Sequence, residues 1–209
     1  MLFSRDGFIL SIRVSGNTLS TMKVLAISGS LRAASINSAL LRTAARLAPP
    51  EIEVTLCSVV GELLLFNPDL ELHLPPTVAR LRAEVAAADA LLIASPEYAH
   101  GVTGTIKNML DWLVSFESFV NKPVAVLNAS PRAHHADAAL RETLKTMSAV
   151  IIEPASVSIP LLGANIAECD MANLPMIAQP IQASLAALYS AVVLKQSADH
   201  GATFPVAPG

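Results

Sequence analysis

Short polar side chains and one arginine follow an apolar segment near the start of the chain. Residues 24–27 have the character of a strand, and Ser30, Arg32, Ser35 and Asn37 come directly after it. Helical spacing of apolar residues begins immediately afterwards. A helix N-terminus leaves backbone N–H groups free and carries a partial positive charge, so this arrangement can bind an anion. Arg32 adds a cation that can bind two phosphate oxygens at once.

The kind of phosphate follows from what this first loop (residues 28–37) lacks. It contains neither the G-x-x-x-x-G-K-[ST] motif of nucleoside triphosphate loops nor the three spaced glycines of dinucleotide sites. Hydroxyl groups with one arginine suit a terminal monophosphate, such as that of FMN. A second interpretation stays open here, in which Ser35 simply caps an ordinary helix and Arg32 is solvated.

Two later strand ends carry loops of the same polar kind. The second loop (residues 95–101) presents Glu97 and Tyr98, and its backbone and aromatic ring could support a planar ligand. The polar members of the third loop (residues 128–132) are Asn128, Ser130 and Arg132. Three loops that converge on one site favour the phosphate interpretation over an ordinary capped helix.

Alternating strand and helix patterns predict the elements that position these loops. Strands are predicted at residues 24–27, 52–56, 90–94, 123–127 and 151–159. Helices are predicted at residues 36–47, from Pro75-Pro76 onward, around 106–113 and around 140–147. This order requires an α/β fold with a parallel sheet and helices on both faces. In the flavodoxin-like strand order 2-1-3-4-5, the three loops share the carboxyl edge of the sheet.

The remaining segments are predicted with less regular structure. Residues 59–70 are expected to be irregular, and residues 161–175 to form a loop. Apolar residues from Ile181 to Val192 predict a C-terminal helix with Pro180 in or near its first turn. The predicted organisation is an extension at residues 1–21, expected to be disordered, a domain at 22–199 and a tail at 200–209.

The combined motifs resemble the NADPH-dependent FMN reductase family. They comprise Gly29-Ser30-Leu31-Arg32-x-x-Ser35-x-Asn37, Pro96-Glu97-Tyr98, and Lys107-Asn108-x-Leu110-Asp111-Trp112-Leu113. That family also includes quinone, azo and chromate reductases on a flavodoxin-like fold. The resemblance covers residues 22–160 and implies FMN with NADPH or NADH as hydride donor. The implied cofactor-binding residues are Ser30, Arg32, Ser35, Ile36, Asn37, Pro96, Glu97, Tyr98, Ala99 and Ser130.

The sequence departs from the family pattern at two places. Ala99 and His100 stand where the family usually has an asparagine after the tyrosine, and the third loop lacks the usual glycines. Both changes fall where the resemblance places the nicotinamide and the acceptor. His100 and Arg132 are therefore predicted to contact the substrate, while FMN binding is expected to persist.

Composition excludes several classes of partner. Hydrophobic residues make up 53% of the 209 residues, charged residues 15%, and the net charge is −3. One domain with a sizeable core is expected. The chain has no basic footprint for nucleic acid, and no apolar run reaches the ~20 residues of a membrane span. A surface so poor in charge predicts a homodimer or homotetramer.

Several residues that could carry other chemistry are predicted to be structural. Cys57 and Cys169 lack metal or redox spacing, so we expect free thiols in a reducing cytoplasm. His134 and His135 are adjacent on a helix start and diverge, so no metal site is predicted. Ser28-Gly29-Ser30 is not the G-x-S-x-G of a hydrolase.

Two further interpretations concern an acid and the aromatic residues. Glu97 is the only acid in the three loops and is expected to accept hydrogen bonds from backbone N–H groups. Trp112 is interpreted as a core or interface aromatic. Phe116 and Phe119 could extend an apolar patch at a subunit contact.

The leading functional hypothesis is an oxidoreductase. Hydride would pass from the nicotinamide to FMN and then to a small acceptor (a quinone, azo compound, metal ion or free flavin) by double displacement. No protein acid or base is required, so no catalytic residue is predicted. A flavodoxin-type electron carrier is the alternative, although such carriers are generally strongly acidic. A non-catalytic subunit that kept the fold is the third possibility.

Overall fold

Five parallel strands form one sheet in the predicted order β2-β1-β3-β4-β5. The structure is a computed structural model that describes the backbone of residues 21–201 and the side chains of residues 21–197. The predicted extension and tail lie outside the described residues, except for residues 21, 200 and 201. The strands are β1 (Met22–Ser28), β2 (Ile52–Leu56), β3 (Ala90–Ala94), β4 (Pro123–Leu127) and β5 (Val150–Ile151).

Six α-helices are described, and they pack on both faces of this sheet. They are α1 (Ile36–Leu47), α2 (Pro76–Ala87), α3 (Gly104–Asp111), α4 (His134–Thr146), α5 (Glu168–Met171) and α6 (Pro175–Gly201). The segment predicted to be irregular contains two short 3-10 turns, Val60–Glu62 and Pro68–His73. Thr103 caps α3, because its hydroxyl accepts a hydrogen bond from the Ile106 amide.

Side chains on alternate strand positions divide the core into two clusters, one on each face of the sheet. Val24 and Ala26 of β1 belong to the cluster that contains the buried residues of α1 and α6. Leu25 and Ile27 belong to the cluster formed with α2, α3 and α4. Strands buried on both faces are uniformly apolar, and β3 and β4 are buried at every position. The predicted flavodoxin-like three-layer α/β fold is confirmed.

The aromatic residues after α3 are part of this core. Trp112 and Phe119 are buried in the second cluster. The indole Nε1 of Trp112 donates to the carbonyl of Leu64 at 2.7 Å. Phe116 is partly buried, and the Arg82 guanidinium lies 5.4 Å from its ring centre. Trp112 is thus a core residue, and Phe119 is not available for a surface patch.

The last strand, predicted at 151–159, is present but far shorter than predicted. β5 contains only Val150–Ile151, and a 3-10 turn at Glu153–Ala155 follows. Proline has no N–H for a strand ladder, and Pro154 lies in this turn. The Ser156 hydroxyl accepts the Val126 N–H at 3.0 Å, so a side chain replaces the backbone pairing. Strand-like contact returns only as a single bridge between Asn128 and Ser158.

The C-terminal region also differs from its prediction. The predicted loop at 161–175 contains the short helix α5, and α6 begins at Pro175, as proline favours a first helical turn. Pro180 therefore lies inside α6. Among the described helices, one stretch of α6, Pro175–Ser197, is long and apolar enough to cross a membrane. The inner face of α6 packs in the core. Core helices of globular domains can also be this long and apolar, so the length and composition of α6 are weak evidence for a membrane span.

Candidate functional site

A cavity of about 480 Å³ opens at the carboxyl edge of the sheet, between the loops that follow β1, β3 and β4. The strand order reverses at this point, which is where open α/β sheets bind ligands. Ten predicted site residues line the cavity. They are Ser30, Arg32, Ser35, Ile36, Asn37, Pro96, Glu97, Tyr98, Ser130 and Arg132.

Two predicted residues are not among those that line the cavity, and several that line it were not predicted. Ala99 and His100 lie in the second loop but outside the lining. Asn128 was expected as a polar group of the third loop. The unpredicted lining residues are Ala34, Ser95, Ala129, Ala133 and Leu162. Most have small or apolar side chains, which carry no chemical signature in the sequence. Leu162 belongs to a distant segment and is held at the cavity by its amide, which donates a hydrogen bond to the Ala129 carbonyl.

The first loop is held by hydrogen bonds among its own residues. The Ser28 hydroxyl accepts the Ser30 amide at 3.3 Å and contacts the Ser38 hydroxyl at 2.7 Å. The Ser30 hydroxyl accepts the Arg32 amide at 3.4 Å. Ser35 is the N-cap of α1 and accepts the Ser38 amide at 3.3 Å. The cap interpretation of Ser35 is therefore right, and it coexists with a cavity at the same helix end.

Gly29 is required because the first loop crosses the end of β3 closely. Its amide donates to the Ala94 carbonyl at 2.8 Å. A Cβ atom at this position would lie 2.6 Å from Cβ of Ser95 and 2.7 Å from Cγ1 of Ile106. Packing against β3 and α3 therefore sets the position of the first loop relative to the second.

Two side chains of the first loop have unused hydrogen-bonding capacity. The guanidinium of Arg32 has no partner within the described part of the chain. Asn37 is 5% exposed, and its Oδ1 is buried without a hydrogen-bond partner among the described residues. Buried polar atoms are normally hydrogen-bonded. Both residues line the cavity. The guanidinium of Arg32 fits an anion such as the phosphate of FMN, while Oδ1 of Asn37 accepts and so fits a hydroxyl or N–H donor of the ligand rather than the phosphate.

The second loop forms a tight hairpin turn at the rim of the cavity. Tyr98 and Gly101 exchange two backbone hydrogen bonds, at 3.2 and 3.0 Å. Ala99 and His100 between them have φ angles of 50° and 59°. Two consecutive left-handed residues are typical of a type I′ turn, which favours asparagine and glycine. An alanine in this conformation is strained by roughly 1–2 kcal/mol. Tyr98 lines the cavity and is 59% exposed.

Glu97 connects the second loop to α4. Its Oε2 accepts the Ala136 amide at 2.8 Å, as predicted for this acid. This hydrogen bond lowers the pKa of the Glu97 carboxyl below its ordinary value, against a smaller opposing effect of burial. His135 and His100 lower the pKa further by their charge. The His100 Nδ1 lies 3.5 Å from Glu97 Oε1.

The third loop has its own internal hydrogen bonds and leads directly into α4. The Asn128 side chain accepts the Ser130 amide at 2.9 Å, and the Ser130 hydroxyl accepts the Arg132 amide at 3.3 Å. His134 and His135 follow, with ring centres 4.1 Å apart. Among the described residues, no group of three histidine, cysteine or acidic side chains could hold a metal ion.

Comparison with known proteins identifies the family. A family model described as NADPH-dependent FMN reductase matches residues 22–162. An NAD(P)H-dependent FMN reductase of Pseudomonas aeruginosa is 46% identical over 112 residues, or 52% of this chain and 60% of that protein. A quinone reductase of Escherichia coli (strain K12) is 32% identical over 113 residues, or 52% of this chain and 60% of that protein. The matched part therefore spans about 60% of the length of these relatives.

A solved structure is similar over a larger part of the chain. FerB, a flavoenzyme NAD(P)H:(acceptor) oxidoreductase from Paracoccus denitrificans, superimposes with a TM-score of 0.71 at 28% identity. The superposition covers 83% of this chain and 98% of FerB. The family match covers the three loops that line the cavity, and the motifs that carry the resemblance lie in and beside these loops. The chain belongs to the NADPH-dependent FMN reductase family.

Proposed function

We propose that this chain is an FMN-dependent NAD(P)H oxidoreductase that reduces a small acceptor. The observation that carries the proposal is the first loop, where an arginine and a buried asparagine, both with side-chain groups that have no partner among the described residues, line one cavity beside a helix N-terminus. The cavity volume lies within the ~300–1,000 Å³ typical of small-molecule sites. The relatives named as FMN and quinone reductases support the same reaction class.

Each loop has a distinct role in this proposal. The first loop and Arg32 hold the cofactor phosphate, because the start of α1 carries no acidic residue that would repel it. The backbone at Pro96 and the exposed Tyr98 ring support the flat part of the cofactor. Ser130 closes the cavity from the opposite side. Bound FMN supplies the hydride chemistry, so the protein needs only to bind, orient and exclude side reactions.

The proposed reaction does not require a dedicated proton donor among the residues that line the cavity. Among the described residues that line the cavity, Glu97 is the only acidic one. The Ala136 amide lowers the pKa of its carboxyl, so Glu97 is ionised at neutral pH. A hydrogen-bonded carboxylate of this kind is a poor proton donor. We therefore assign no catalytic residue.

The cofactor assignment is tested by titration of the apo-protein with FMN and with riboflavin. The two ligands differ only in the phosphate, and charge-assisted hydrogen bonds contribute about 1.5–3 kcal/mol each. FMN should therefore bind at least tenfold more tightly than riboflavin. Equal affinities would show that the first loop is not a phosphate site. Failure of the FMN-loaded protein to oxidise NADPH with any acceptor would favour the electron-carrier or non-catalytic alternatives.

The proposed kinetic mechanism is double displacement. Donor and acceptor must reach the same exposed side of the cofactor in turn, so initial-rate plots at several quinone concentrations should give parallel lines. Intersecting lines would require a ternary complex and would contradict a shared site. The quinone can be replaced by an azo compound, an oxidised metal ion or free flavin to establish the acceptor class.

Arg132 and His100 are proposed to contact the acceptor at the rim. Arg132 lines the cavity, and the His100 side chain is 77% exposed beside Glu97. His100→Ala should alter the ratio of kcat/KM values for two dissimilar acceptors while leaving FMN affinity within about tenfold. An unchanged ratio would remove His100 from the acceptor site.

We further propose that the protein is a homodimer or homotetramer. Several large apolar side chains near α3 and the 3-10 turns are exposed. They are Leu64, Leu65, Leu72 and Val114. Exposed apolar surface of this kind usually marks an interface. Light scattering at micromolar concentration should give at least twice the chain mass, and a monomeric mass would contradict the proposal.

The proposed location is the cytoplasm. Cys57 and Cys169 are both free thiols, and burial raises the pKa of the Cys57 thiol to about 12. Free cysteines are typical of reducing compartments. Cell fractionation should place the protein in the cytosolic fraction, and recovery with membranes would overturn this location.

A further inference from the structure

The first and third loops repeat one hydrogen-bond pattern. In Ser28-Gly29-Ser30-Leu31-Arg32, the first side chain accepts the amide of the middle serine, whose hydroxyl accepts the arginine amide. In Asn128-Ala129-Ser130-Pro131-Arg132, the same two contacts are made by Asn128 and Ser130. The two loops follow β1 and β4, on either side of β3. They are therefore similar structures that flank a single cavity.

Both loops also combine a cation with a helix start. The guanidinium groups of Arg32 and Arg132 line the cavity, and neither has a partner among the described residues. The first loop leads into α1, and the third loop leads into α4. By these features alone, either loop could receive the phosphate of a cofactor in the cavity.

The two helix starts differ in what binds their N–H groups. In α1, the N-cap Ser35 binds the Ser38 amide, and the first turn contains no acid. In α4, the N-cap position is Ala133, which has no side chain able to cap. The carboxylate of Glu97 takes over, because its Oε2 accepts the Ala136 amide at 2.8 Å. The start of α4 thus already holds an anion, supplied by the second loop.

We propose that Glu97 is a positioning residue that fills the anion-binding start of α4 and thereby directs the cofactor phosphate to the first loop. The inference rests on the proposed function, since it concerns how FMN is oriented in the cavity. A phosphate at the third loop would have to displace or approach a carboxylate that shares its sign of charge. The first loop offers no such repulsion. Glu97 therefore selects between two otherwise similar loops.

FMN binding in an Arg32-deficient background tests this role. Arg32→Ala should weaken FMN binding at least tenfold, because Glu97 still blocks the third loop. Arg32→Ala combined with Glu97→Ala should bind FMN at least fivefold more tightly than Arg32→Ala does. Adding Arg132→Ala to that pair should remove the gain. A residue that merely stabilised the fold would only weaken binding further when removed.

A matched control removes a different acid, one that lies in the first turn of α4 itself. Asp137 forms an ion pair with Arg141 at 2.7 Å and does not line the cavity. Asp137→Ala in the Arg32→Ala background should leave FMN affinity unchanged within about twofold. A gain as large as that from Glu97→Ala would show a general charge effect, and the proposal would be overturned.

A conservative variant covers the case in which Glu97→Ala fails to fold. Glu97→Gln keeps an oxygen acceptor for the Ala136 amide but removes the charge. In the Arg32→Ala background it should bind FMN at least threefold more tightly than Arg32→Ala alone. Absence of any gain in both Glu97 variants would overturn the proposal. The unmodified protein is tested separately for preferential binding of FMN over riboflavin. Failure of that test would contradict the proposed function, whereas failure of the Glu97 variants alone would contradict only the role of Glu97.

Discussion

The two walls of the cavity are supported in different ways. The first loop is held mainly by neighbours in sequence, such as the Ser28–Ser38 and Ser35–Ser38 contacts. The opposite wall depends on distant segments: Glu97 reaches Ala136, Asn128 pairs with Ser158, and Leu162 bonds to Ala129. The first wall is therefore sensitive to steric changes at its base. The second is sensitive to the loss of single long-range contacts.

The largest expected effect is a steric change at the base of the first loop. Gly29→Ala would place a methyl group against Ser95 and Ile106. Overpacking of this kind costs typically 1–3 kcal/mol, and we expect about 3 kcal/mol here because both neighbours belong to packed elements. Urea denaturation measures the loss, and FMN affinity should fall with it.

Gly104→Ala is the matched control for this steric change. No atom lies within 4 Å of the position of its Cβ, and Gly104 begins α3. The substitution should be neutral or stabilise the protein by about 0.5 kcal/mol, since alanine restricts the unfolded chain. Equal destabilisation by both substitutions would show that close packing does not explain the need for Gly29.

The next effect contrasts the two arginines. Arg32→Ala should reduce FMN affinity about 30-fold, or roughly 2 kcal/mol, through loss of a charge-assisted contact. Arg132→Ala should change FMN affinity less than threefold while raising KM for an anionic acceptor. Isothermal titration calorimetry with FMN compares the two variants. Similar losses of affinity would contradict the assignment of the phosphate to the first loop.

The local support of the first wall explains why the sequence predicted it well. The hydroxyls of Ser30 and Ser35 and the cation of Arg32 stand within a few residues of one strand end, so their convergence is visible in the sequence. The alternation of elements also predicted the parallel sheet, and the flavodoxin-like resemblance supplied its strand order. Glu97 was predicted to accept a backbone N–H, but its donor, Ala136, was not predicted. Residues 39 apart in sequence show no common pattern.

Failures of prediction at the opposite wall have the same origin. Apolar spacing at 151–159 satisfied a strand pattern, but Pro154 and the Ser156 hydroxyl decide the pairing there. Leu162 lines the cavity only because its backbone bonds to a residue of the third loop. Neither contact has a signature in the periodicity of the chain. Positions fixed by tertiary contacts are thus the ones that sequence patterns miss.

A smaller effect concerns the external support of α1. Arg42 binds both carboxylate oxygens of Glu168 at 2.8 and 2.6 Å and so ties α1 to α5. Both side chains are about one-third exposed or more, so solvent limits the pair to about 1 kcal/mol. Glu168→Gln should lower the free energy of unfolding by that amount at pH 7.

The pH dependence of this pair follows from the direction of the pKa shift. Hydrogen bonding to Arg42 lowers the pKa of Glu168 below its ordinary value of 4.5. The stabilisation is therefore complete above that pH and is lost as the pH falls through the lower, folded-state pKa. Denaturation of the unmodified protein and Glu168→Gln should give converging stabilities below pH 4.5. A constant difference at all pH values would contradict an ionic origin.

The smallest effect concerns the strained turn of the second loop. Ala99→Gly should stabilise the protein by about 0.5 kcal/mol, because glycine tolerates the left-handed conformation at φ 50°. Ala139→Gly in the exposed interior of α4 should instead destabilise it by about 1 kcal/mol. The thermal unfolding midpoint of each variant is compared with that of the unmodified protein. Destabilisation by both would show that Ala99 does not require a left-handed backbone.

The short fifth strand affects how the protein behaves toward other chains. A long, flat strand at the border of a sheet exposes unpaired N–H and C=O groups that invite addition of a foreign strand and aggregation. Here the border strand has only two residues, and a proline turn follows it at once. The Ser156 hydroxyl accepts a hydrogen bond from the β4 amide of Val126, which is therefore not left unpaired at this border. This border of the sheet is consequently a poor template for intermolecular strand pairing.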